Sequence, residues 1–278
     1  MEIKLLALDL DGTVLRSDNT LSESMRGALM KAVDGGLKVA VASGRPYSSM
    51  PREVLSIEGI DWVIASNGAA VYHRGERLRS LTLREEDVMK LLDLTADCDL
   101  IWEAFIGGVA CTDKRYYDDP MRYGCSAAYV DYVRGSRGVS SDMRGYIREH
   151  RSELDSVEFV CSDPSLRRLL WNRIAREVEG VYITSSSAHF VEFMHADATK
   201  ANAVSWLSGR LGVSREETAA AGNADNDVDM LLHAGLGAAV KNATPACLEA
   251  ADLIVGSCDE DGVCELIERC LTPSAFRR

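Results

Sequence analysis

The sequence predicts an α/β protein, with a parallel-sheet core interrupted by an inserted α+β domain. Three observations predict it. Residues 5–42 read as strand, helix, strand at the length a right-handed crossover needs, so the two strands are parallel neighbours. The same rhythm returns after Phe193 and runs to the last helix. Between them, residues 84–187 mix strands and helices without βαβ regularity. The core is therefore expected at 1–83 and 188–278, with 84–187 inserted.

Each element has its own signal. Residues 5–8, LLAL, are a short apolar run of the kind a buried parallel strand shows. The run leads straight into Asp9, Leu10, Asp11, Gly12 and Thr13. Two carboxylates thus stand at the carboxyl end of a strand, the edge where open α/β sheets bind ligands. An acidic turn without chemistry would look the same in isolation. A polar excursion follows, then a helix with Thr20 and Glu23 as a capping box and Met25, Ala28, Leu29, Ala32 and Val33 on its apolar face. Gly35-Gly36 ends it. The second strand, 37–42, ends in Ser43, Gly44, Arg45 and Pro46. Parallel strands bring this turn to the same edge as Asp9. The Ser43 hydroxyl and the amides of Gly44 and Arg45 suit an anion there; they suit a plain helix N-cap equally well.

A third strand at 62–65 ends in Ser66-Asn67-Gly68 and leads into a hairpin, 69–72 and 77–83. In the insertion, 85–94 is an amphipathic helix and 100–112 alternates like strands around Gly107-Gly108. Residues 115–137 are rich in Tyr, Asp, Arg and Gly and match no regular element strongly. Within it Tyr116, Tyr117, Arg122 and Tyr123 form an aromatic and basic group suited either to a polar leaving group or to plain surface. A helix at 143–151, a strand at 157–161 and a helix at 164–178 follow. Strands at 181–184 and 189–193 flank Ser185, Ser186 and Ser187.

Lys200 then opens a helix with Ala203, Val204, Leu207 and Leu211 inward. Ser214 and Glu217 make a second capping box. Residues 218–221 are a strand of small residues ending in Gly222, Asn223, Ala224, Asp225, Asn226 and Asp227. A helix bearing Val228, Met230, Leu231 and Ala234 comes next. A strand at 236–240, a short helix capped by Thr244 and begun by Pro245, a strand at 253–255 and a helix at 262–270 complete the chain.

Composition narrows the function. The 278 residues carry 46% hydrophobic side chains, enough for a sizeable core. A net charge of −12 argues against a nucleic-acid or anionic-membrane binder, which would need a basic face. It does not exclude a small anionic substrate, which a few local cations can hold. The eight cysteines include no C-x-x-C pair. Cys258, Cys264 and Cys270 are six apart, a helical rotation of about 240° each, so they share no face. All eight read as reduced packing thiols of a cytoplasmic protein. No signal peptide and no bilayer-spanning apolar stretch is apparent. No G-x-G-x-x-G follows the first strand, which disfavours a nucleotide-binding dehydrogenase.

Carboxylates, a lysine and a hydroxyl at neighbouring strand and helix ends suit a phosphate ester with Mg²⁺. The metal needs oxygen ligands, and the phosphoryl oxygens need cationic and N–H donors. Here the sequence resembles the haloacid dehalogenase superfamily of phosphatases, in its Cof-type branch, subclass IIB. DLDGT at 9–13, ASGRP at 42–46, ASNGA at 65–69, Lys200, GNADND at 222–227 and DEDGV at 259–263 carry the resemblance, in order and at fitting separations. The resemblance implies a doubly wound, Rossmann-like core with the insertion as a cap over its carboxyl edge. It implies Asp9 as nucleophile through an aspartyl-phosphate, and Asp11 as general acid and then base. Ser43, Gly44, Arg45, Lys200 and Asn226 would bind the phosphoryl group. Asp9, the Asp11 carbonyl, Asn223 and Asp227 would form the Mg²⁺ site. The expected substrate is a small phosphorylated metabolite, with sugar phosphates the leading class, and the expected assembly a monomer or small homo-oligomer. A phosphomutase or phosphotransferase shares the same intermediate, and a non-catalytic phosphate-binding regulator stays open. One residue departs from the pattern: Asn223 stands where the family has an acidic metal ligand. The amide keeps an oxygen but loses a charge, so weaker metal binding is expected.

Overall fold

The computed structural model describes residues 2–186 and 189–272. Two sheets organise it. The first contains β1 (Leu5–Leu8), β2 (Lys38–Ala42), β3 (Trp62–Ala65), β4 (Ala70–His73) and β5 (Glu76–Ser80), and later β12 (Thr218–Gly222), β13 (Leu236–Val240) and β14 (Leu253–Val255). Its order is β14-β13-β12-β1-β2-β3-β4-β5. The six strands from β14 to β3 are parallel, and β4 and β5 close one edge as an antiparallel hairpin.

Alternate residues of β1 serve opposite faces, as the pleat requires. Leu6 and Leu8 pack with Met25 and Leu29 of helix Glu23–Asp34 and with Leu266 and Ile267 of helix Val263–Leu271. Leu5 and Ala7 pack with Val204 and Leu207 of helix Lys200–Leu211 and with Leu231 of helix Val228–His233. Both faces are covered, so β1 is fully buried and the core is doubly wound as expected.

The second sheet has the order β10-β11-β9-β6-β7-β8. It comprises β6 (Ile101–Ile106), β7 (Val109–Asp113), β8 (Arg137–Ser140), β9 (Leu154–Val160), β10 (Val181–Thr184) and β11 (Phe190–His195). Trp102, Phe159 and Phe193 point to one face, under the helices Glu85–Leu94, Met143–Glu149 and Pro164–Glu177. The other face is turned toward the carboxyl edge of the core. This is the expected α+β cap.

Four local expectations change. β11 pairs with β9 and β10, so the cap sheet extends to His195, beyond the expected boundary at 187; Ser187 itself lies outside the described residues. Residues 115–137 are ordered into helices Lys114–Asp118 and Val130–Ser136 around two 3₁₀ turns, Pro120–Tyr123 and Ala127–Tyr129, and Arg137 begins β8. The first helix is capped by Ser22, whose Oγ accepts from Met25 N at 3.0 Å. Thr20 is not the cap because its hydroxyl donates to Asp18 at 2.6 Å. Ser43 caps no helix either, since only a 3₁₀ turn, Tyr47–Ser49, follows Pro46.

Two contacts tie distant segments to the Asp9 edge. Asp261 accepts from Arg16 Nη2 at 3.0 Å and Ser22 Oγ at 2.7 Å, and Asp259 from Ser17 N at 2.9 Å. The 259–263 segment therefore braces the loop that follows β1. Gly68 has φ +105°, and a Cβ there would lie 2.2 Å from the Thr199 carbonyl. Only glycine lets the loop after β3 reach the start of the Lys200 helix.

Candidate active site

The sheet register assembles the site. Leu8 pairs with Val41 on one side and Ala221 on the other, so the chain leaves β1, β2 and β12 at one edge. Asp9 N donates to Ala221 O at 3.0 Å. The loops that begin with Asp9, Ser43 and Gly222 are thereby neighbours.

Lys200 is the electrostatic centre. It is 1% exposed, which rules out a solvated surface lysine. Its Nζ lies 2.7 Å from Asp9 Oδ1 and 2.7 Å from Asp227 Oδ1. Burial opposes its charge, but Asp227 and Asp9 outweigh that and raise its pKa. One ammonium therefore faces two buried carboxylates. The shortfall appears on Asp9, whose pKa is pushed up to about 7 by burial first and then by Asp227, against the pull of Lys200.

The 222–227 loop is shaped by Asp227. Its Oδ2 accepts from the amides of Asn223 at 2.9 Å and Ala224 at 3.0 Å. With Oδ1 on Lys200, both oxygens are engaged, so Asp227 orients the loop. Asp225 turns away, accepting from Thr244 Oγ1 at 2.8 Å. Asn223 reaches toward the first loop: a Cβ on Gly12, whose φ is +74°, would lie 2.5 Å from Asn223 Nδ2. Asn226 Nδ2 donates to Asn67 Oδ1 at 2.9 Å, while Asn226 Oδ1 is buried without a partner among the described residues.

Asp11 is clamped from two sides. Arg45 grips both its oxygens, Nε at 2.8 Å and Nη2 closer still. The hydroxyl of Tyr129, from the cap, donates to it at 3.3 Å. The Arg45 guanidinium also lies 4.2 Å from the ring centroid of Tyr132. Ser43 is 1% exposed, and its Oγ accepts from Arg45 N at 3.1 Å, which leaves the hydroxyl hydrogen to donate elsewhere.

Above these groups is a cavity of about 400 Å³, within the usual range for small-molecule sites. Its floor includes Asp9, Asp11, Gly44, Arg45, Asn223 and Asn226. Ser43, Lys200 and Asp227 do not line it. The roof is cap: Tyr116 lines it as the aromatic pattern allowed, but Tyr117, Arg122 and Tyr123 do not. Tyr129, Tyr132, Arg137, Glu158 and Glu192 do, and the sequence reading missed all five. A signal existed for the glutamates: each stands between apolar neighbours, in the Val-Glu-Phe runs at 157–159 and 191–193.

The donor set fits a divalent cation. Asp9 Oδ2 is buried and has no partner among the described residues, and the two carboxylates outnumber the one ammonium between them. No described group of three or more His, Cys, Asp or Glu is arranged around a metal position. An Asn223 amide oxygen and the Asp11 backbone carbonyl would stand in for further carboxylates.

Fold and site together define a capped α/β hydrolase. The chain belongs to the haloacid dehalogenase-like hydrolase family, whose profile it matches over residues 6–267. It is 32% identical to YxeH of Bacillus subtilis (strain 168), over 95% of this chain and 97% of that protein. It is 28% identical to the 5-amino-6-(5-phospho-D-ribitylamino)uracil phosphatase YitU of the same organism, over 96% of this chain and 98% of that protein. A solved haloacid dehalogenase-like hydrolase from B. subtilis superposes with a TM-score of 0.84 at 27% identity, covering 96% of this chain and 99% of that one. Among the described residues no helix is long and apolar enough to cross a membrane.

Proposed function

We propose that the protein is a Mg²⁺-dependent phosphomonoesterase acting on small phosphorylated metabolites, with sugar and sugar-alcohol phosphates foremost. The observation that carries this reading is Asp9 at the cavity floor, one carboxylate oxygen held by the buried Lys200 behind it and the other without a partner among the described residues. The free oxygen is the atom that attacks phosphorus. The P–O bond to the leaving alcohol breaks as the Asp9–phosphoryl bond forms, giving an aspartyl-phosphate. Asp11 supplies the proton to the departing oxygen and later removes one from the water that cleaves the intermediate. For that it must exchange its Arg45 clamp for the substrate.

Lys200, Ser43 and the amides of Gly44 and Arg45 are the donors for the phosphoryl oxygens, with Asn226 beside them. A monoester dianion carries nearly two negative charges at neutral pH, more than Lys200 alone can balance between two carboxylates. Asp9, the Asp11 carbonyl and Asn223 would hold the metal, with Asp227 orienting the loop. Bound there, the ion would supply the missing positive charge. The cap roof over the cavity would exclude bulk water. Eight unpaired cysteines fit a reducing, cytoplasmic setting. The name of YitU, a phosphatase of a ribityl phosphate, fits the substrate class.

A phosphate-release screen over a phosphomonoester panel, with Mg²⁺ and with chelator, tests the reading. Release into plain buffer is expected with Mg²⁺, falling to background with chelator. Phosphate transfer to a second alcohol without free phosphate would mark a mutase or transferase, and binding without turnover a regulator.

The Asn223 departure gives a second expectation. Asn223→Asp adds a charged oxygen ligand, so half-saturating Mg²⁺ should fall roughly tenfold. A Mg²⁺ titration of activity measures it. An unchanged or higher requirement would show that Asn223 does not face the ion.

A further inference from the structure

The cap sheet holds three glutamates in one row. Glu103 on β6 stands opposite Glu158 on β9, and Glu158 opposite Glu192 on β11. Trp102, Phe159 and Phe193 alternate with them and fill the cap's own core. The pleat therefore turns the glutamates toward the active-site cavity, where Glu158 and Glu192 form part of the roof. Like charges directly opposed across strands destabilise a sheet. These three are also cut off from water, at 0%, 6% and 2% exposure for Glu103, Glu158 and Glu192. Folding alone gives no reason to place them there.

Their partners differ. Glu192 is fully engaged, accepting from Asn67 Nδ2 at 2.6 Å and Ser186 N at 2.7 Å. Because Asn67 also accepts from Asn226, the row is wired to the phosphoryl end of the cavity. Glu103 takes Arg137 Nε at 3.3 Å, and the same guanidinium lies 4.5 Å from the Tyr132 ring centroid. Glu158, at the centre, receives no N–H donor from the described residues. Burial first, and then Glu103 and Glu192, raise its pKa well above the ordinary value. With no N–H donor on it, its carboxyl is left to meet a ligand hydroxyl in the cavity it lines. That cavity is also walled by Phe105, Tyr116, Tyr129, Tyr132 and Phe190, aromatic surfaces suited to the C–H faces of a carbon chain.

We infer that this row selects the leaving group: Glu158 hydrogen-bonds hydroxyls of an uncharged, polyhydroxylated alcohol, and the row as a whole rejects leaving groups that carry a second anion. The inference rests on the phosphomonoesterase reading and adds to it which residue reads the substrate and what is refused. An ammonium group is the lesser fit. Arg137 already meets the carboxylate of Glu103, and Asn67 with the Ser186 amide holds Glu192, which leaves Glu158 to neutral hydroxyls.

The test uses the full chain with Mg²⁺ and four probes: 4-nitrophenyl phosphate, glucitol 6-phosphate, 6-phosphogluconate and glucosamine 6-phosphate. Wild type should prefer glucitol 6-phosphate over 6-phosphogluconate by about tenfold or more in kcat/KM, because an unpaired or repelled polar group in a closed site is heavily penalised. Glu158→Leu should lose about tenfold or more on glucitol 6-phosphate. On 4-nitrophenyl phosphate, which has no hydroxyl to read, it should change less than about threefold. Glu158→Gln keeps a donor and an acceptor and should retain most of the selectivity. Equal losses on both substrates, or a wild-type preference for 6-phosphogluconate or glucosamine 6-phosphate, would overturn the assignment. The wild-type comparison decides even where the Leu variant fails to fold. Wild type that hydrolyses 4-nitrophenyl phosphate without the expected selectivity sinks the row alone. Wild type that releases phosphate from none of the four sinks the phosphatase reading, and the row with it.

Discussion

Asp9→Asn is expected to lower phosphate release by about 10⁴-fold or more while leaving the fold intact, since on the proposed mechanism it removes the nucleophile and with it the covalent route, not just one favourable contact. The substitution is nearly isosteric. The new amide oxygen can still accept from Lys200, as Asp9 Oδ1 does at 2.7 Å. What disappears is one of two carboxylates competing for one ammonium. In chelator, the Asp9→Asn variant should therefore melt no lower than wild type. The combination of lost turnover and kept stability separates chemistry from structure. Circular dichroism melts and a phosphate-release assay on the same preparations measure both. A variant that retains more than about a hundredth of wild-type activity would remove Asp9 from the nucleophile's role.

How much of this was legible beforehand depends on the range of the signal. The strand that delivers Asp9, the small-residue strand ahead of Gly222 and the helix opened by Lys200 were all readable, because each is written in a few adjacent residues. Parallel βαβ connectivity then placed the strand ends on one edge. The pairing of Lys200 with Asp9, 191 positions apart in the chain, is beyond any local period and was reached only through resemblance. The cap roof was harder. Residues 115–137 form short helices held by aromatic contacts such as Tyr129 against Tyr132, with ring centroids 6.1 Å apart. Segments this brief show no amphipathic period. The expected boundary at 187 failed for a related reason. β11 is a short, mainly apolar strand buried along its middle, and nothing in Phe190–His195 states which sheet it joins. The three glutamates were visible as charges in apolar strands, but their meeting in one row is a matter of register, which antiparallel pairing sets between strands far apart in sequence.

Lys200→Met carries the second large effect, and on stability as well as activity. The ammonium is fully buried between Asp9 and Asp227, 2.7 Å from each. Removing one partner of a buried ionic cluster strands the others, at a cost of about 3–5 kcal/mol. For a chain of this size that lowers the melting temperature by roughly 10 °C. Methionine fills the space with an unbranched chain, so the loss reports charge more than volume. Turnover should vanish as well, since the proposed hydrogen-bond donor to the phosphoryl oxygens and the partner of Asp9 leave together. The double variant Lys200→Met/Asp227→Asn tests the cause. An asparagine at position 227 keeps an acceptor for the amides of Asn223 and Ala224, which Asp227 Oδ2 now holds at 2.9 and 3.0 Å. It also removes the charge that Lys200 no longer offsets. If uncompensated charge is the reason for the loss, the double variant recovers at least half of the stability and none of the activity. Losses that simply add would instead place the role of Lys200 in packing, because contacting residues that share one ionic cluster depart from additivity.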